Sequence, residues 1–589
     1  EPRKRRQDFE DGVWIRLSGG RNQLFYSRRV GRSPHGRGPS DAEYKDIPSN
    51  STILGAAKLS GRTAGGLSIG VLAAVTGNEF GQGLFEDGSR DDFLVEPRSE
   101  FGVLSLVQDL NDGATTFSAI ATGMRRELPG DASFDWLPSS AFSGGARFEH
   151  QWADRTWGIY GVVGLSQVRG SEAAITRIQR AANHYFQRPD ATRFAVDETA
   201  TSIAGLNWRV QLDKRAGQHW TGGIWAAEVT NGFEINDLGF SATAERLDGG
   251  VRISYREIQP GSVFRNYNVT AMTYHNWSHE ALDDTWSLDS WRDARMRGSF
   301  RMNTSFQFLN YWNLRMNASY SPQAMSRSST RGGPIMVNPA STDFSVNMSS
   351  DRRKAVSFGS NFKVTDDRIG AGGSTDIRVD IRVQPSDRLS VSVSPNWSTA
   401  TSDAQYVTST STLAYDPTYG RRYLFAELDR QSFSMVTRLD WTFSPTLTLQ
   451  LYAQPLLSSG DYVEYKQLAG AESYEFLGFE PGSAQALENG ISCSSNICNV
   501  DGRQHVDFDG DGFTDYSFSD RDFNVRSLIG NAVLRWEYRP GSTIFLVWQR
   551  QQVDRALIGD FDLSRDAGAL FDAPADNRFI IKMNYWLGL

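Results

Sequence analysis

No apolar run in this chain approaches the roughly 18 residues that a membrane helix requires, so helical spanning is excluded. Positive charge is not in excess either. The net charge of −8 and a pI near 5.6 argue against a nucleic-acid partner, whose affinity would rest on a basic surface. Cysteine is scarce: only Cys493 and Cys498 occur, close together in a polar stretch. They read as a local disulfide of an oxidising compartment, with a metal site joined by His505 as the alternative. The seven histidines are scattered and no Gly-x-Ser-x-Gly elbow is present. Carboxylate pairs such as Asp283 with Asp284 are what many acidic loop residues produce by chance, so no catalytic set is assembled and no enzyme is expected. No initiating Met opens the chain, and residues 1–12 read as a charged linker from an upstream region. No composition break divides the 589 residues into separate domains.

What the chain has instead is alternation. From Leu528 to Tyr538 the even positions are apolar or small (Leu528, Ala532, Leu534, Trp536), while Ser527, Asn531, Arg535 and Glu537 take odd ones. A period of two is that of a strand with one greasy and one wet face. Arg539-Pro540-Gly541-Ser542 turns the chain, and Ile544, Leu546 and Trp548 begin a return strand. The same unit recurs around Pro445 and Pro385, where Ile377, Val379, Ile381 and Val383 alternate with Arg378, Asp380 and Arg382. Further strands are predicted from Val13 to Leu17 and Leu24 to Val30, from Phe93 to Leu110, and onward to Phe579–Leu587. A helix is predicted within Ile175 to Asn183.

Connections alternate between tight turns and longer loops: Gly77–Asp92, Arg169–Val196, Ala324–Asp343, Thr399–Arg422, Leu457–Asp522 and Asp554–Asp576. That polarity belongs to outer-membrane barrels, whose strands need only about 9 to 11 residues with alternate ones polar. The expected fold is therefore all-β: one large antiparallel transmembrane β-barrel over residues 13–589. It has about 22 strands (roughly 20 to 24), short periplasmic turns and long extracellular loops, the longest being residues 457–522. The location is a bacterial outer membrane and the first partner is its lipid.

Several stretches, among them LFYSRRVGR (24–32), ILGAAKLSGR (53–62), DFLVEP (92–97), residues 421–455 and NAVLRWEYRPGSTIFLVW (531–548), resemble one bacterial family. It is a family of predicted outer-membrane β-barrels of unknown function, of the DUF5916 type, normally C-terminal to a carbohydrate-binding, family-9-like domain. The resemblance implies a barrel and a carbohydrate association. It assigns no carbohydrate-specific role to a numbered residue.

Two sets of candidate functional residues emerge. Asp507, Asp509, Asp511 and Asp515, with the Phe513 carbonyl and Gly512 at the sixth position, supply the hard oxygens and sharp turn that Ca²⁺ takes. Phe518 stands where an EF-hand has its bidentate Glu, Asp520 is a candidate to complete the set, and an acidic solvated loop is the alternative. Arg378, Arg382, Arg438, Asp440, Arg535 and Glu537 form the row expected to face the lumen. The expected function is a porin-like or transporter-like channel, or a translocation barrel, for a solute or polymer such as a carbohydrate. The alternatives are a plugged barrel serving as a surface platform for carbohydrate binding, with periplasmic or surface protein partners, and a membrane-embedded glycoside hydrolase.

Overall fold

The computed structural model describes residues 23–367, 370–487 and 490–587. The linker at residues 1–12 and the strand expected from Val13 to Leu17 lie outside the described residues. The chain divides into two compact units: Glu1–Ser254 with Met272–Gly298 and Met325–Gly333, and Tyr255–Ala271 with Ser299–Ala324 and Pro334–Leu589. Counted over both, the large antiparallel sheet holds 22 strands.

In the first unit the sheet is an up-and-down meander. Its strands are β1 (Ile53–Arg62), β2 (Leu67–Thr76), β3 (Ser99–Leu110), β4 (Thr115–Arg126), β5 (Ser140–Trp152), β6 (Trp157–Arg169), β7 (Ser202–Lys214) and β8 (Trp220–Val229), each paired with the next. Strands β9 (Arg246–Glu257), β10 (Phe264–Trp277) and β11 (Arg295–Phe308) have residues in both units. The second unit continues with β12 (Asn313–Ser321), β13 (Ser341–Ser349), β14 (Val356–Asp367), β15 (Gly372–Ser386), β16 (Leu389–Thr410), β17 (Arg422–Ser444), β18 (Leu447–Leu468), β19 (Phe523–Arg539), β20 (Ser542–Ala556) and β21 (Ala575–Asn584). The remaining strand of the sheet is the short Phe476–Gly478, paired to the end of β18. Helices α1 (Glu172–Gln179), α2 (Leu288–Asp293) and α3 (Leu563–Asp572) stand in the longer connections. No described helix is long and apolar enough to cross a membrane.

Tight turns follow the chemistry of their residues. Asn111, Asp112 and Gly113 all take positive φ between β3 and β4, as a twisted hairpin demands, and Gly541 (φ 78°) does so after Pro540. Trp152, Trp157, Trp220, Trp441 and Trp536 stand beside such turns and are exposed.

Several expectations need correction. Leu24 to Val30 is no strand: Gln23 makes a single bridge to Phe240, Ser27–Arg29 is a 3₁₀ turn, and Leu24 and Phe25 are both buried although consecutive. Gly77–Asp92 is not a plain loop, since Tyr44–Asp46, Glu79–Leu84 and Arg90–Glu96 form a three-stranded sheet. Phe93–Leu110 is broken at Pro97, which has no N–H for the ladder, so its two halves join different sheets. The helix begins at Glu172, before the expected Ile175, because Ser171 caps it through Ala174 N (3.1 Å). Leu457–Leu468, assigned to the longest loop, continues β18, and Thr399–Thr410 continues β16. Their Ser, Thr, Gly and Asp residues break the apolar alternation, but the ladder bonds to β17 and β19 do not depend on side chains. Asp554–Asp576 contains α3 in place of a bare loop.

Candidate functional site

Register fixes which residues share a face. In the second unit Ser357, Arg382, Ser392, Arg438, Tyr452, Asn531, Gln549 and Arg578 are successive cross-strand partners from β14 to β21. One residue away, Val356, Val383, Val391, Leu439, Leu451, Ala532, Trp548 and Phe579 form the neighbouring row on the opposite face. Most of that apolar row is exposed among the described residues. The first unit repeats the arrangement by itself. Val71, Leu104, Ala121, Gly144, Leu165 and Leu206 make an apolar row, with Leu165 58% exposed, and Ser118, Arg147, Val162 and Arg209 belong to the other face.

The polar face of the first unit is covered at its loop end. Leu24 and Phe25, Ile175 of α1, Phe186, and Phe233, Ile235 and Leu238 pack on Val103, Ile120, Met124, Val162, Val168, Ile203 and Val229. Buried ion pairs fasten the cover. Glu234 accepts from His184 Nε2 (2.9 Å) and Asn183 Nδ2 (2.6 Å), His184 Nδ1 lies 2.8 Å from the Asn231 carbonyl, and Glu234 N donates to Ser166 Oγ on β6 (3.0 Å). Burial alone would raise the Glu234 carboxyl, but the His184 bond and charge, with Asn236 N–H and Asn183, hold it below the usual carboxylate range. A second cluster joins His35 to Glu96 (2.6 Å) and Arg126 to Asp237 (3.4 Å). Burial pushes Asp237 up despite Arg126.

The cover approaches the sheet through glycine. A Cβ at Gly205 would lie 2.2 Å from Phe233 N and 2.4 Å from its Cα. Only the missing side chain lets the 230s segment lie against β7.

In the second unit β16, β17 and β18 run 22, 23 and 22 residues, about twice what a bilayer needs. Their distal halves form a head with two small cores. Val407, Leu424, Ala426 and Tyr465 pack on Ile497, Val506 and Phe518, and Tyr423, Phe425 and Leu468 on Met336. Ile497–Val500, Arg503–Val506 and Tyr516–Ser519 make a three-stranded sheet there, and Cys493 and Cys498 are bonded with Cα atoms 5.6 Å apart. Between its last two strands lies the acidic loop. One oxygen from each of Asp507, Asp509 and Asp511 falls within 4.8 Å of the others. Asp507 is buried and accepts from Gly510 N (2.7 Å) and Gly512 N (2.8 Å), and Asp515 accepts from Phe508 N (2.7 Å). Asp520 does not join this group: its carboxylate accepts from Asn499 Nδ2 (3.0 Å).

The profile of the family described as "Domain of unknown function (DUF5916)" matches residues 3–589. The chain belongs to the DUF5916 family. No curated protein matches it. Among solved structures it is similar to the siderophore receptor PirA from Acinetobacter baumannii, at 9% identity over 95% of this chain and 82% of that one, with a TM-score of 0.37. It is also similar to the FrpB iron transporter (F3-3 variant) from Neisseria meningitidis, at 8% identity over 77% of this chain and 74% of that one, with a TM-score of 0.36. Likeness at this level assigns nothing to the DUF5916 chain, whose reading rests on its own residues.

All six residues expected at a lumen lie in the second unit of this DUF5916 chain, on its polar face. Arg378 Nε is 3.1 Å from Asp380 Oδ1, and Arg535 Nη2 is 2.9 Å from Glu537 Oε2. Arg382 donates to Gln384 (2.9 Å) and Ser390 (3.1 Å), Asp440 accepts from Gln450 (3.1 Å), and Arg438 stacks over the Tyr452 ring at 5.4 Å. Sequence reasoning missed the cover altogether. His184 and Glu234 stand 50 residues apart, and no local pattern pairs them.

Proposed function

We propose that the sheet closes into an outer-membrane β-barrel that passes a solute or polymer along its polar face, with the covered loop end of the first unit acting as a gate. The observation that carries this reading is the two-faced exposure: uncovered apolar rows on one side and polar rows on the other, in each unit independently. Water cannot stabilise the first and hydrocarbon cannot accept the second, so a closed sheet in lipid satisfies both. The tryptophans beside the tight turns fit an interfacial girdle. Gly205→Val tests the gate. Wild-type protein in planar bilayers is expected to be nearly silent, and G205V, which must lift Phe233, to give ohmic steps. Silence from both proteins would instead favour a surface platform, the reading to which the head on β16 to β18 lends support.

We also propose that the acidic loop holds a structural Ca²⁺ through Asp507, Asp509, Asp511 and Asp515 with the Phe513 carbonyl. The converging carboxylates support this, and the neighbouring disulfide would limit the loop's freedom. Calcium at about a hundred times its dissociation constant is expected to stabilise the head by roughly 2.7 kcal/mol. Asp509→Ala should abolish that gain. A calorimetric titration of the wild-type protein that shows no heat discards the site.

A further inference from the structure

A cavity of about 240 Å³ opens in the first unit, at the ends of β9, β10 and β11 that join the longer loops. Residues 182–185, 243–244 and 325–328 complete its wall. Three arginines line it, Arg246, Arg297 and Arg327, and no carboxylate does. Carboxylates stand behind two of them: Arg246 Nε lies 3.4 Å from Asp248 Oδ2, and Arg327 pairs with Glu245. Arg297 has no ion-pair partner among the described residues, and Arg246 Nε is buried without a hydrogen-bond acceptor there. Both nitrogens of His184 are already engaged, as are the amide nitrogens of Asn183, by Glu234, and Asn276, by Asp248. Arg246 Nη1 donates to Thr243 Oγ1 (3.1 Å), and Ser326 Oγ accepts from Ser329 Oγ (2.7 Å) and lies 3.5 Å from Ser328 Oγ. The groups that can still donate to a ligand include the Arg297 guanidinium, the remaining N–H groups of Arg246 and a hydroxyl of the Ser326 and Ser328 pair.

We propose that this cavity binds a phosphate monoester, its oxyanion held by Arg297 and Arg246 with Ser326 and Ser328. The Arg297 fork, the remaining N–H groups of Arg246 and a serine hydroxyl offer more donors than the two oxygens of a carboxylate can use, and they suit the three terminal oxygens of a phosphate monoester. The volume equals about eight waters at about 30 Å³ each, which exceeds a bare phosphate and falls below the roughly 300 Å³ at which drug-sized sites begin. Met296 and Met325 supply a soft apolar wall for the ester's organic part. The site does not depend on the barrel closing, because all its residues belong to one unit.

The same chemistry is offered by a soluble monoester and by the monoester headgroup of phosphatidic acid, so the test has two arms. In the first, the full chain in neutral detergent is titrated calorimetrically with glycerol 3-phosphate. In the second, retention of phosphatidic acid is measured from mixed micelles with phosphatidylcholine. Arg297→Gln is expected to weaken binding about tenfold or more without moving the thermal midpoint, since Arg297 is exposed and unpaired. The S326A/S328A double variant should weaken it in the same arm. Binding in the first arm assigns a soluble ester, and binding in the second alone assigns a lipid headgroup. Wild-type binding in neither arm, or equal binding by wild type and R297Q, overturns the proposal.

Discussion

Asp566→Ala is expected to undock α3 from the sheet and to lower stability by about 3 kcal/mol, the low end of the cost of orphaning a buried charge. Asp566 is fully buried, and the Arg526 side chain beneath it on β19 is 5% exposed. Arg526 donates to Asp566 through Nη2 (2.9 Å) and Nε (3.2 Å), while Asn524 Nδ2 (3.1 Å) and Asp562 N (3.1 Å) satisfy the second oxygen. Removing the carboxylate leaves Arg526 with Asp554 alone (2.5 Å), in a site closed to water. Burial by itself would raise the Asp566 carboxyl. The bonds from Arg565, Asn524, Asp562 N–H and Arg526 outweigh it and hold the group below its ordinary value. A depressed folded-state value means that the stabilisation is present above the unfolded carboxyl range, near 3.9, and is lost as pH falls through the lower folded value. Hydrogen exchange over residues 557–574, corrected for intrinsic rates, should show wild-type protection at pH 6, its loss below about pH 4, and its absence at both in D566A. Unchanged protection in D566A would show that apolar packing alone docks the helix.

The alternation around Leu528 to Tyr538 made the strands and their two faces readable, because a face is a local property with a period of two. Tight turns were readable for the same reason: Pro540-Gly541 and Asn111-Asp112-Gly113 carry their geometry in their own dihedral preferences. Strand ends were not. Beyond Leu457 and Trp397 the side chains turn small and polar, while β16 and β18 continue because their neighbours still offer ladder partners, and such partners lie outside any local window. The cover of the first unit fails to show for a stronger reason. Phe233 reads as one aromatic in a polar stretch, and its burial depends on Gly205 in another strand leaving room for its backbone. The acidic loop was legible as a spacing of carboxylates. That Asp520 turns away to Asn499 was not, because the two meet only through the strand pairing of the head.

Ile381→Arg and Leu165→Arg, one in each unit, are expected to cost roughly 2 to 4 kcal/mol each when the protein is folded in lipid vesicles. Ile381 sits mid-strand on β15 between Phe358 and Val393, and Leu165 on β6 between Gly144 and Leu206. Both are exposed in the protein, so in water an arginine there would change stability by less than about 0.5 kcal/mol. Ser434→Arg, on the polar face beside Asn396, should cost little in either medium. The magnitude therefore identifies the solvent of each face, and guanidinium unfolding from vesicles measures it directly. Because each unit carries its own apolar rows, the two substitutions report independently. A large cost at Ile381 with none at Leu165 would put only the second unit against hydrocarbon, and the single closed barrel would fall. Equal small costs at Ile381, Leu165 and Ser434 would mean that the apolar rows meet water or another protein, and the membrane reading would fall with them.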